Sequence, residues 1–241
     1  MATCCGDDPV TGDAAHERSK QLASEFAGVF LIVLLGYGSV AAAASGAWRP
    51  GAYGVSAVFG VVVALAIHLL SRFSIHFNPG VTIALGFLRL HPWRRVWPFI
   101  AVQFAAALAA MSAIHALFPS AERFGAPGAP AGWLPAIAKE IAFMAPFIFV
   151  CMVAGTYFVR WRAAVIGVMV FAIGTVFGRF AGGLSMNPAC TLATNLMEGN
   201  LAVLPVYAFG TTAGCYVGFW SFARAHPLLD RCLSRAEPRS S

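Results

Sequence analysis

Charge is what this chain has least of. Only 11% of its 241 residues are Asp, Glu, Lys or Arg, and 59% are hydrophobic. Soluble domains carry about 25% charged residues. One aqueous core cannot hide this much apolar surface, so a soluble globular domain is excluded and the lipid bilayer is the expected partner. Cysteine is also sparse: none of the six stands at a Cys-x-x-Cys spacing. Cys4 and Cys5 are adjacent in a polar tail, Cys151, Cys190 and Cys215 lie in apolar segments, and Cys232 is near the C-terminus. That pattern predicts neither a disulfide framework nor a zinc site. Free thiols are expected, with acylation of Cys4, Cys5 or Cys232 near the membrane as the alternative. Residues 1–20 are polar and lack the apolar core of a cleavable signal. His68 has no Asp or second His at metal or catalytic spacing, so no cofactor, metal or enzyme chemistry is expected. The net charge of +6 invites a nucleic-acid reading, but the basic residues occupy short segments between apolar runs. There they orient a membrane protein.

What is present is a series of apolar runs. Six are long enough to span, at 22–44, 54–71, 97–117, 135–158, 163–181 and 201–222; a bilayer span needs about 17–25 residues. Two shorter runs, 79–88 and 188–197, reach only about half of a ~30 Å hydrocarbon core. The order is span, span, half-span, span; a Pro/Gly-rich outer loop at 118–134; then the same again. The first repeat is thus 22–117 and the second 135–222, between an N-terminal tail at 1–21 and a C-terminal tail at 223–241. Glu25 opens the first span of one repeat and Glu140 the first span of the other. "VTIALGFL" after the first Asn-Pro is similar to "CTLATNLM" after the second. Three spans per repeat is odd, so the second copy enters from the opposite face, which makes the repeat inverted. The expected fold is all-α: six transmembrane helices plus two re-entrant half-helices. Of sixteen Lys and Arg, only Arg49, Arg123, Lys139 and Arg179 fall outside when both termini are cytoplasmic, a positive-inside bias.

Each half-span opens on Asn-Pro, as "HFNPG" at 76–80 and "MNPAC" at 186–190. Asn-Pro ordinarily marks a turn at the water surface. Inside a membrane such backbone is tolerated only when it is buried in protein or lines a wet cavity. Pro79 and Pro188 suit the first position of a helix, where a missing N–H costs nothing. Asn78 and Asn187 suit the N-cap, accepting a first-turn N–H and leaving the side-chain amide to donate into the cavity. With Gly80 and Ala189 they are the expected pore centre. By inverted symmetry two half-helix N-termini face each other at mid-depth, each carrying at most about half a positive charge. Such a site offers donors to a neutral solute and opposes protons and cations. A carboxylate in a span is costly and usually paired. Glu25 and Glu140 are expected to accept N–H bonds from the irregular loops 72–78 and 179–187; the alternative is a boundary Glu that reaches water.

These residues resemble the major intrinsic protein family, the aquaporins and glycerol facilitators, over about 20–225. "EFAGVFLIVLLGYGSVAA" is similar to the family's first span, "FGVVVALAIHLLSRFSIHFNPGVTIALGF" to its second span, loop and first half-helix, and "GGLSMNPACTLATN" to the start of its second half-helix. The resemblance implies one pore per subunit and a homotetramer. Two departures stand out. The first motif is Asn-Pro-Gly where the family usually has Asn-Pro-Ala. After the second motif Cys190 stands where the family usually has Arg. By position, the resemblance places an outer constriction at Phe59, Thr175, Leu184 and Cys190, wider and less polar than a water filter. It is similar to the unorthodox, often intracellular, branch of the family. Arg179 in the same loop is a candidate replacement for the lost charge, and His76 a candidate vestibule residue. The implied function is a passive channel for water and small neutral solutes, with glycerol, hydrogen peroxide, urea and ammonia as possible substrates. It would sit in the plasma membrane or an intracellular membrane. Two other classes remain open: a poorly conducting structural or assembly subunit, and an alternating-access transporter, which no leftover intramembrane charged pair supports.

Overall fold

The computed structural model describes residues 12–51, 53–177 and 183–236. Among them every regular element is helical. The first rod comprises α1 (Gly12–Leu31), a π-helical turn (Ile32–Tyr37) and α2 (Gly38–Ala44). It is followed by α3 (Gly54–Leu70), α4 (Pro79–Phe87), α5 (Trp93–Leu117), α6 (Trp133–Tyr157), α7 (Arg162–Phe177), α8 (Pro188–Glu198) and α9 (Leu204–Ala236). Four of the helical rods are long and apolar enough to cross a membrane; α3 and α7 are shorter, at 17 and 16 residues. The half-helices α4 and α8 have 9 and 11 residues, about 14 and 17 Å at ~1.5 Å per residue.

The two outer rods run longer than their apolar cores. α1 begins at Gly12, well before residue 22, because "HERSKQLAS" is polar yet made largely of good helix formers. Lys20 and Glu17, at 3.6 Å, pair on its surface. α9 continues past residue 222 to Ala236. Its extension is tied to α6 by the Tyr157 hydroxyl, which donates to Asp230 at 2.6 Å. Hydropathy marks bilayer length, not helix length.

Small residues set the tight crossings, as expected where helices associate without a hydrophobic drive between them. Gly210, Gly214 and Gly218 form a stripe on α9 against α6. A methyl group on each would stand 2.8 Å from Glu140 Cβ, 2.6 Å from Met144 Cβ and 2.6 Å from the Ala145 carbonyl oxygen. α3 crosses α7 at Gly60 and Gly167, where methyl groups would meet the opposing carbonyl oxygens at 2.7 and 2.6 Å. The half-helices are exchanged between the repeats: α4, from the first, packs on α9 of the second, and α8, from the second, packs on α5 of the first. Their N-terminal ends meet in the middle.

Candidate channel centre and outer constriction

The two Asn-Pro turns have nearly the same backbone. Asn78 is at φ −157°, ψ 120° and Asn187 at φ −157°, ψ 112°. Each is an N-cap. Asn78 Oδ1 accepts from the Gly80 N–H at 2.8 Å and Asn187 Oδ1 from the Ala189 N–H at 3.0 Å. Pro79 and Pro188 occupy the first helical positions. The Thr82 and Thr191 hydroxyls each donate to the carbonyl of their own Asn at 3.1 Å.

The side-chain amides are crossed. Asn78 Nδ2 donates to the Met186 carbonyl at 2.6 Å, and Asn187 Nδ2 donates to the Phe77 carbonyl at 2.8 Å. Each NH₂ carries two hydrogens, so one ties the opposite loop and one remains for the cavity. The carbonyls that accept these bonds belong to residues in the left-handed region, Phe77 at φ 51° and Met186 at φ 56°. That conformation is costly for a side chain of this size. It persists because the surroundings hold it.

The holding groups are the two glutamates, both 0% exposed. Glu25 accepts from the Ser74 hydroxyl at 2.5 Å, the His76 N–H at 2.7 Å, the Phe77 N–H at 2.6 Å and Gln103 Nε2 at 2.7 Å. Glu140 accepts from the Ser185 N–H at 2.7 Å, the Met186 N–H at 2.9 Å and the Thr211 hydroxyl at 2.9 Å. In both repeats the chain of contacts is the same: a carboxylate grips the N–H of the strained residue, and that residue turns its carbonyl to the opposite Asn. Ser185 also bonds Thr191 and donates to the Asn187 carbonyl at 2.9 Å.

Gly80 has a structural reason. A methyl group there would stand 2.9 Å from Thr211 Cγ2 and 3.3 Å from the Thr212 nitrogen. The Thr211 methyl fills the space that an alanine side chain would need, while its hydroxyl serves Glu140.

Phe59, on α3, lies over Gly36, where a methyl would stand 2.5 Å from the ring. It meets the Tyr37 ring edge-on, centroids 5.1 Å apart. Cys190 is the third residue of α8, 3% exposed, in the same apolar cluster as Tyr37. Tyr37 therefore links the two constriction candidates. Thr175, on α7, follows Gly174, whose α-carbon lies over Ser56 of α3. Its hydroxyl is buried and has no hydrogen-bond partner among the described residues. Leu184 follows Gly183, at φ +61°, on the approach to Ser185. Arg179 lies outside the described residues. His76 Nδ1 is 3.2 Å from Thr82 Oγ1, and its ring stands 5.0 Å from that of His91. Both border a cavity of about 310 Å³ on the side of the N-terminal segment, with Gln21, Ser74 and Arg95. Burial there, with His76 and Arg95 nearby, holds the His91 imidazole below its ordinary pKa.

Sequence reasoning did not find Gln103, Thr211 or Tyr37. Gln103 had a usable signal, an amide in the apolar run 97–117, and it bonds both Glu25 and Thr82. Tyr37 had none.

Two half-helices that meet end to end inside an all-α bundle, each capped by a donor-bearing Asn, define a membrane channel. Comparison with known proteins gives the same class. The family model for the major intrinsic proteins matches residues 14–222, so the chain belongs to the major intrinsic protein family, membrane channels for water or small solutes rather than enzymes. It is 32% identical to a probable aquaporin, AqpM, of Archaeoglobus fulgidus, over 85% of this chain and 96% of that one. It is 30% identical to aquaporin NIP1-3 of Oryza sativa subsp. japonica, over 85% of this chain and 73% of that one. The fold is similar to that of the aquaglyceroporin from Plasmodium falciparum, with a TM-score of 0.72 at 19% identity, covering 88% of this chain and 99% of that one.

Proposed function

We propose that this protein conducts water and small neutral solutes, glycerol among them, passively through one pore per subunit, and that it opposes protons at the paired Asn residues. The observation that carries the reading is the crossed pair. Asn78 and Asn187 each spend one amide hydrogen on the opposite loop, which fixes the direction of the other. Fixed neutral donors at two adjacent half-helix N-termini bind the oxygen of a passing solute and reorient a water wire. Glu25 and Glu140, the two buried carboxylates among the described residues, are occupied by the loops and are not free to hold a cation. Phe59, Thr175, Leu184 and Cys190 form the outer constriction, which carries no fixed charge of its own and so suits solutes larger than water. Both termini face the cytoplasm, and the subunits form a homotetramer. The test is solute flux into proteoliposomes under an osmotic step. Flux above empty liposomes for water and glycerol, without proton uptake, supports the reading. Flux equal to empty liposomes from folded protein contradicts it and favours a structural role.

A further inference from the structure

The π-helical turn at Ile32–Tyr37 interrupts the first rod and matches no feature of the sequence pattern. A π-turn inserts one residue into a helix and is frequent at functional sites. Two consequences follow here. Gly36 faces Phe59 with no side chain, so the Phe59 ring lies directly on the rod. Tyr37, the last residue of the turn, points into the bundle and is 9% exposed. Its ring is held edge-on by Phe59 at 5.1 Å. The outer loop closes its far edge: Gly125, at φ +83°, stands so close that a methyl there would be 3.3 Å from Tyr37 Cδ1. Glu198, on α8, fixes that loop by accepting from the Phe124 N–H at 2.6 Å and the Ala126 N–H at 3.1 Å. Cys190 lies in the same buried cluster as Tyr37.

We propose that Tyr37 is a selectivity-determining residue of the outer constriction, a fifth member supplied by the first helix, between Phe59 and Cys190. This rests on the channel reading above. A phenol both donates and accepts hydrogen bonds, whereas a thiol is a weak partner. Tyr37 then joins the Thr175 hydroxyl as a polar group of an uncharged ring, and it suits small neutral hydroxyl-bearing solutes. Its ring sets the width, and its hydroxyl supplies the bond that replaces one to water.

Two variants separate width from polarity. Tyr37→Phe keeps the ring; the expected result is glycerol permeability lowered about three- to tenfold relative to water, the loss of one hydrogen bond. Tyr37→Ala opens the ring and is expected to raise the flux of glycerol and larger polyols. Folding is checked by elution and melting temperature. Folded variants whose glycerol-to-water ratios both equal the wild type's overturn the proposal while leaving the channel reading intact. If wild type conducts nothing, the channel reading fails, and the rate of Cys190 modification by a small membrane-impermeant thiosulfonate, read by peptide mass, decides the role of Tyr37. Faster modification in Tyr37→Ala supports it as the group that closes the pore over Cys190. An unchanged rate overturns it.

Discussion

Replacing Glu140 by Ala removes three bonds at once: those from the Ser185 N–H, the Met186 N–H and the Thr211 hydroxyl. A buried donor left without a partner costs about 1–3 kcal/mol. Hydrogen bonds inside membrane proteins are worth less, about 0.6 kcal/mol on average, because the unfolded chain in the bilayer also finds partners. The expected loss lies between these scales, about 2–4 kcal/mol. For a chain of this size about 2–4 °C of melting temperature is lost per kcal/mol, so the variant should melt about 5–15 °C below wild type. The control is Glu198→Ala. Glu198 also accepts two backbone N–H groups, but it is exposed at the end of α8. Water replaces it there, and the expected loss is under about 1 kcal/mol. Glu140→Gln should fall between the two, since its amide keeps one acceptor. The assay is melting of purified protein in detergent, read by intrinsic fluorescence, with folded yield from size exclusion. Equal losses for Glu140→Ala and Glu198→Ala would refute the inference that the carboxylate holds the strained residue.

Other outcomes are equally specific. Gly80→Ala should destabilise by about 1–3 kcal/mol through overpacking against Thr211, and Thr211→Ser in the same chain should recover most of it, because it deletes Cγ2 and keeps the hydroxyl on Glu140; no recovery in melting temperature would separate the two residues. Gln103→Leu should lower the melting temperature by orphaning bonds to Glu25 and Thr82, about 1–3 kcal/mol, and an unchanged value would mean that Glu25 is held without it. Asn187→Asp keeps the N-cap, for which Asp is as good as Asn, but loses the donor to Phe77. It should reduce neutral-solute flux and admit protons, measured with a pH dye inside proteoliposomes; wild-type flux and a proton-tight membrane would contradict the pore-centre reading.

The repeat made much of this readable. Glu25 and Glu140, and Asn78 and Asn187, were visible because an inverted repeat states each residue twice, and a carboxylate or an Asn-Pro inside an apolar run is conspicuous once. The seating of α4 on α9 and α8 on α5 follows from the same symmetry. Other features depend on contacts between distant segments that carry no local signature. Gly80 reads as a lost methyl until Thr211 is placed beside it. Cys190 reads as a missing charge until Tyr37 is found in the same buried cluster. The π-turn that delivers Tyr37 adds one residue to a helix of ordinary apolar composition, and nothing in "IVLLGY" announces it. Helix ends were missed for a plainer reason: residues 12–21 and 223–236 are helical but polar, and apolar length alone cannot see them.

The most direct test of the central claim is light scattering of proteoliposomes after an osmotic step, first with impermeant sucrose and then with a glycerol gradient, on wild type and Cys190→Arg. The expected result is fast water and glycerol flux in wild type, with glycerol lost in the Arg variant, which would place the solute filter at residue 190. No flux above empty liposomes, from protein shown to be folded, would contradict the channel function.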